Sequence, residues 1–259
     1  MAAHGIARDP YQRDDICCRR TTRINDKICM FLRKLYINQS QFPSKAQYPF
    51  NLEVFEQTKS ITFEKNLVFF AGENGSGKST LLKAIARKCD IHLWCESEYT
   101  PLVRNPYADL LHTCIELDFS GMVPGAFFAA QNFKRYAEMV DDWAKVSMDY
   151  LQHLGGESLS SKSHGQTNMQ YFRNRFNIKG LYLLDEPEAA LSPRSQLELI
   201  GVITEAMKKG DVQFIIATHS PILLAMNDAQ ILDFNAIPIS TIHYTETDYY
   251  KIYKTLMNR

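Results

Sequence analysis

The chain has 259 residues, 45% of them hydrophobic and 22% charged, with 29 basic and 29 acidic side chains. It is long enough to bury a real core, and its zero formal net charge excludes the whole-molecule field of a DNA-coating or membrane-surface protein. Its longest apolar runs, residues 67–71 and 214–217, are strand-length, far short of the ~20 residues of a membrane helix.

Residues 1–10 lack the apolar stretch of a secretory signal. The six cysteines, at 17, 18, 29, 89, 95 and 114, contain no CxxC pair, so the expectation is reduced thiols in a cytoplasmic protein. Residues 1–29 mix Arg8, Arg13, Arg19, Arg20 and Arg23 with Asp9, Asp14 and Asp15 without a sustained period, which reads as a flexible arm. Nucleic-acid contact through this arm is open but unsupported, since the arm carries acids among its bases. The folded domain is expected to start near Met30, over residues 30–259.

Residues 31–37 read as a first strand, 61–63 and 67–71 as further strands, and 79–88 as a helix with Leu81, Leu82, Ile85 and Ala86 on one face. Residues 115–119 alternate as a strand. The aromatic-rich stretch 125–154 reads as short helices, and 155–166 as a polar loop feeding a helix to about Phe176. Residues 181–184 form a buried strand by their continuous apolar run. Ser192 caps a helix that has Pro193 at its first position and runs to about Lys209. Strands at 212–217, 230–234 and 239–244 and helices at 221–226 and 247–257 complete the pattern. Strands alternating with helices predict an α/β fold with a largely parallel sheet covered on both faces.

Gly72, Glu73, Asn74, Gly75, Ser76, Gly77, Lys78 and Ser79 fit GxxxxGK[ST], placed between an apolar strand and a periodic helix as that motif requires. The glycines let the backbone curl so that the N–H groups from Asn74 through Thr80 face one point at the positive end of the helix, where a triphosphate fits. Lys78 is expected to reach the β- and γ-phosphates, and the Ser79 hydroxyl to hold Mg²⁺. Asp185 and Glu186 end an apolar strand, the position at which open parallel sheets bind ligands. They read as a Mg²⁺ ligand and a general base for the attacking water. His219 follows the next strand in the same way and is placed to sense the γ-phosphate and that water.

Together these residues resemble the ATP-binding cassette class of P-loop ATPases, and within it the stand-alone predicted AAA-family ATPases that lack a transporter half. The resemblance covers residues 30–259. It makes 72–80 the Walker A loop, 181–186 the Walker B strand with Glu186 as catalytic glutamate, 189–192 the D-loop and His219 the switch histidine. Gln131 matches the Q-loop position that meets Mg²⁺ and water. Ser163, His164, Gly165 and Gln166 resemble the class signature LSGGQ, with Lys162 in place of its leucine and His164 in place of its first glycine.

The resemblance implies that Ser163, Gly165 and Gln166 meet the ATP held by a second copy, so that a homodimer sandwiches two ATP molecules. It also implies an antiparallel N-terminal β part and a small helical subdomain over about 121–178. About 85 residues without a heptad pattern separate Lys78 from Ser163, which leaves no room for the long coiled-coil arm of chromosome-maintenance ATPases. The partner driven by the cycle is unknown. The alternatives are a nucleotide-gated switch with negligible turnover, as in a defence system, or the nucleotide-binding subunit of a transporter. Tyr48, Phe50, Phe55 and Phe63 are all candidates to stack on adenine.

Overall fold

The computed structural model describes residues 30–93, 105–119, 124–144 and 164–258. The expected arm (1–29), Ser163 and most of the expected loop before it lie outside the described residues.

In chain order the elements are β1 (Leu32–Ile37), the short α1 (Glu53–Gln57), β2 (Ser60–Thr62), β3 (Leu67–Ala71), α2 (Lys78–Lys88), β4 (Ile115–Phe119), β5 (Gly125–Ala129), α3 (Ala130–Ala144) and α4 (His164–Arg175). They continue with β6 (Gly180–Asp185), α5 (Pro193–Lys208), β7 (Val212–Ala217), α6 (Pro221–Leu224), β8 (Gln230–Asp233), β9 (Ser240–Ile242) and α7 (Asp248–Met257). A three-stranded antiparallel sheet has the order β2-β1-β4. A six-stranded sheet has the order β5-β6-β7-β3-β8-β9, parallel except for its edge strand β9. This is the α/β arrangement expected from the sequence: a mostly parallel sheet with flanking helices and a separate antiparallel sheet.

The central strands read as continuous apolar runs because both of their faces are buried. Val68 and Phe70 of β3, Leu181 and Leu183 of β6, and Ile215 and Ala217 of β7 point into a core shared with α2 and the antiparallel sheet. Their alternates, Leu67 and Phe69, Tyr182 and Leu184, and Phe214 and Ile216, point into a second core shared with α3, α4 and α5. The buried Gln213 amide ties the two sheets: Oε1 accepts from the Phe31 and Leu32 amides at 3.0 and 2.8 Å, and Nε2 donates to the Leu32 carbonyl at 2.8 Å.

One expected element is different. The stretch from Gly125, read as short helices, opens as β5, which pairs with β6 in parallel with Ala129 beside Asp185. A short run of apolar residues has no period that separates a buried strand from a buried helix, and here the neighbouring strand decides. Gly125 and Gly180 let the two chains approach, since a Cβ on Gly125 would stand 2.5 Å from the Leu181 carbonyl and one on Gly180 2.6 Å from that of Pro124. The helix that follows is one continuous element of 15 residues, α3, whose Phe133 meets Tyr171 of α4, while Phe128 of β5 packs against Phe133 and Phe172.

Candidate active site

Parallel pairing carries three chain segments to one edge of the sheet. Ala217 at the end of β7 sits beside Asp185 of β6 on one side and Phe70 of β3 on the other. The glycine loop, the acidic pair and the histidine therefore leave adjacent strands side by side, the arrangement the sequence implies.

The loop is curled by Gly75 and Gly77, with φ of 81° and 100°. Gly77 is required twice over, because a Cβ there would also stand 2.8 Å from the Phe55 ring. Helix α2 begins at Lys78 with no side-chain cap, so its first N–H groups are left for an anion. The buried Lys78 ammonium folds back into the loop and donates to the carbonyls of Gly72 and Glu73, each at 2.7 Å. Burial pushes its pKa down, against the pull of Glu186 and Asp185.

Ser79 and Asp185 meet directly, Oγ donating to Oδ1 at 2.7 Å. Burial raises the Asp185 pKa, partly opposed by the Ser79 hydrogen bond. A hydroxyl and a carboxylate are hard oxygen donors suited to Mg²⁺, which takes few protein ligands and fills its sphere with water and phosphate oxygens. Among the described residues there is no group of three or more His, Cys, Asp or Glu that could hold a metal ion.

Glu186 has a φ of 50°, a conformation a glutamate adopts only at a cost of about 1–3 kcal/mol. Its amide is held by the Ala217 carbonyl at 2.9 Å, and its carboxylate Oε1 lies 3.7 Å from His219 Nε2. His219 Nδ1 is 2.7 Å from the Tyr249 hydroxyl, which donates to the Gly72 carbonyl at 2.9 Å. Burial, and after it the charge of Lys78, lowers the His219 pKa. Glu188 joins the two strand-end loops: its Oε1 accepts from the Thr218 hydroxyl at 2.7 Å and the His219 amide at 2.8 Å. Asn235, after β8, accepts from the Glu73 amide at 2.8 Å and so braces the glycine loop from the other side.

Of the four aromatics considered for adenine, Phe50, Phe55 and Phe63 are buried in the core. Tyr48 is 42% exposed and its hydroxyl hydrogen-bonds Thr80 at the start of α2. Gln131 is exposed in the first turn of α3, just beyond the β5 residue paired with Asp185. Gly165 and Gln166 lie in the first turn of α4, and Ser163 lies outside the described residues. The structure gives Gly165 a packing reason: a Cβ there would stand 2.7 Å from the Ala190 carbonyl in the turn after Glu186.

Sequence reasoning did not single out Glu188, Asn235 or Tyr249. Each acts on a segment brought near by the fold, 31, 162 and 177 residues away along the chain, and no local pattern marks such a partner.

Residues 169–225 match the family model described as "AAA domain, putative AbiEii toxin, Type IV TA system", and residues 50–87 match one described as "AAA domain". The chain is 27% identical over 201 residues to the tungstate uptake system ATP-binding protein TupC of Peptoclostridium acidaminophilum, covering 73% of this chain and 89% of that protein. It is 28% identical over 202 residues to the phosphate import ATP-binding protein PstB of Aeropyrum pernix, covering 67% and 79%. A solved ATP-binding subunit of an ABC transporter superposes with a TM-score of 0.46 at 14% identity, covering 86% of this chain and 99% of that one. The likenesses in sequence are thus to ATP-binding proteins and to AAA-domain models, and the matched stretches include the glycine loop and the strand-borne acids. No described helix is long and apolar enough to cross a membrane.

Proposed function

We propose that two copies of the chain close on two ATP molecules, hydrolyse them and separate, and that this cycle moves a partner protein. The observation that carries the reading is the placement of Glu186 and His219, 3.7 Å apart, at the sheet edge that also carries the glycine loop.

In this reading the amides of Gly72, Asn74, Gly75, Ser76, Gly77 and Thr80 and the start of α2 cradle the phosphates. Lys78 exchanges the carbonyls of Gly72 and Glu73 for the β- and γ-phosphates. Ser79, Asp185 and Gln131 hold Mg²⁺, which neutralises charge on the phosphate oxygens when bound. Glu186 takes the proton of the attacking water, and His219 orients that water. Tyr48, exposed beside Thr80, stacks on adenine. Ser163, Gly165 and Gln166 complete the site of the second copy. The exposed Ala190, whose carbonyl Gly165 closely approaches, supports this because it leaves the signature helix and the turn after Glu186 on one outward surface.

Glu186→Gln keeps the shape of the residue and removes the base. Turnover should fall by about 10²–10⁴-fold while ATP binding persists, so the chain should accumulate as a dimer in Mg²⁺ and ATP. Light scattering behind size exclusion reads this. A monomer that retains bound ATP would overturn the sandwich.

The names of the two relatives favour a second reading, an ATP-binding subunit that works beneath a membrane importer. In that case the native chain should sediment with membranes and be released with an integral membrane protein. In the first reading it stays in the soluble fraction.

A further inference from the structure

From the chain of contacts that runs through α7 we infer that Tyr249 is a positioning residue, which holds His219 with its proton on Nδ1 and presents Nε2 toward Glu186 as a bare acceptor. The inference rests on the assignment of His219 to the hydrolytic site and says how that residue is prepared.

A tyrosine hydroxyl has one proton to give. Here it faces two partners, the Gly72 carbonyl at 2.9 Å and His219 Nδ1 at 2.7 Å. The carbonyl can only accept. Gly72 also receives the Lys78 ammonium at 2.7 Å, but that donor is the one the phosphates draw away. Once Lys78 has turned to a ligand, the Tyr249 proton is what satisfies this half of the glycine loop, and the carbonyl of a buried residue left without a donor is costly. With its proton committed, the hydroxyl offers Nδ1 only a lone pair, so Nδ1 must be the protonated nitrogen.

The hydroxyl keeps its proton at working pH, because burial and then the nearby Glu73 charge push the Tyr249 pKa up to about 12. The groups that face the imidazole electrostatically are Lys78, Glu186 and Glu73, and burial together with Lys78 favours the neutral ring. The T-shaped contact of the two rings, with centroids 5.9 Å apart and planes at 72°, fixes the imidazole plane as well.

The consequence for the reaction is specific. Nε2 and Glu186 Oε1, 3.7 Å apart, are then two acceptors, and a water between them gives one hydrogen to each while its oxygen lone pair points outward. With the opposite tautomer Nε2 would donate and would compete with that water for the carboxylate. A residue on the last described helix, outside every motif of the sequence, thereby decides what the histidine can do.

The test uses the full chain saturated with Mg²⁺ and a non-hydrolysable ATP analogue, labelled with ¹⁵N in its histidines at neutral pH, with the His219 signals assigned by their loss in His219→Gln. The two ring nitrogens report directly which one carries the proton. His219 should read as the neutral Nδ1–H form in the wild-type chain and shift toward the Nε2–H form in Tyr249→Phe. That variant should also lose about 10–100-fold in kcat with KM for ATP nearly unchanged, the usual scale for removing an orienting hydrogen bond behind a functional group. A wild-type His219 found as the Nε2–H tautomer overturns the inference whatever the variant does. So does a Tyr249→Phe chain with unchanged His219 signals and unchanged kcat. His219→Ala separates this from the parent reading: if that variant hydrolyses ATP normally, the role of His219 falls. If it is inactive while Tyr249→Phe is normal in both readouts, only the positioning role falls.

Discussion

The glycine loop and the beginning of α4 are the two motif-bearing regions of this chain, and they are built in opposite ways. The loop is finished within its own chain. Its lysine is bonded to its carbonyls, its serine to Asp185, its outer amide to Asn235 and its first carbonyl to Tyr249. At the start of α4, Gly165 closely approaches the Ala190 carbonyl in the turn after Glu186. A loop whose polar groups are mutually satisfied holds its backbone curl before ligand arrives, and binding then exchanges the Lys78 and Ser79 contacts for ligand. On the proposed sandwich, the difference makes nucleotide binding and nucleotide turnover separable, the first local and the second dependent on what meets α4.

The largest effect that tests this division is Lys78→Ala. It removes the charge that compensates the β- and γ-phosphates, so ATP affinity should drop by about 100-fold or more in calorimetric titration. Affinity within a few-fold of wild type would mean that the loop is not the nucleotide site. Next comes Tyr48→Ala, which deletes the exposed ring beside Thr80. Base–aromatic stacking of about 1–3 kcal/mol predicts a loss of roughly 5–150-fold in ATP affinity, with Tyr48→Phe retaining most of it. A weaker effect of Tyr48→Ala on ATP than on inorganic triphosphate would take the ring away from the base.

Gly165→Ala sharpens the comparison from the other region. Its Cβ would stand 2.7 Å from the Ala190 carbonyl, so either α4 or the turn must shift, at about 1–3 kcal/mol of stability. Denaturation should show that loss, and ATP affinity should stay near normal. If affinity fell as far as in Lys78→Ala, the two regions would not be separable. The smallest effect concerns Glu188. Burial raises its pKa above the usual 4.5, so the folded state holds this proton more tightly than the unfolded one. The stabilisation from the proton is fully present below 4.5 and is lost as pH rises through the raised folded value. Glu188→Gln keeps an acceptor for Thr218 and the His219 amide and removes this titration. Its melting temperature should therefore vary less between pH 4 and 7 than that of the wild type; an equal slope would show that Glu188 does not contribute it.

The legible parts of this molecule are those whose chemistry is contiguous. The loop from Gly72 to Ser79, the run ending at Asp185 and Glu186, and the Ser192–Pro193 helix start each carry their reason within a few residues. In the structure Ser192 Oγ does accept from the Ser195 amide, at 3.2 Å. The strand β5 was illegible because Ala126, Phe127, Phe128 and Ala129 suit a buried strand and a buried helix equally, and β6 makes the choice. Tyr48 could be named as one of four aromatics but not separated from Phe50, Phe55 and Phe63, since exposure is a tertiary property. Glu188, Asn235 and Tyr249 were invisible for the same reason, being ordinary surface-type residues until the sheet sets their neighbours.

The distance along the chain between Gly72 and its Tyr249 brace carries a consequence for synthesis. The two are 177 residues apart, and at about 5–20 residues per second the ribosome makes the tyrosine roughly 10–35 s after the glycine. Over that interval the nascent chain acquires the lysine, both strand-end acids and His219, yet the loop lacks its Asn235 and Tyr249 contacts. The histidine has no hydroxyl to fix its proton until α7 emerges. The order of translation thus assembles the nucleotide cradle early and arms it late, so an unfinished chain on the ribosome holds the parts of an ATPase without their final alignment.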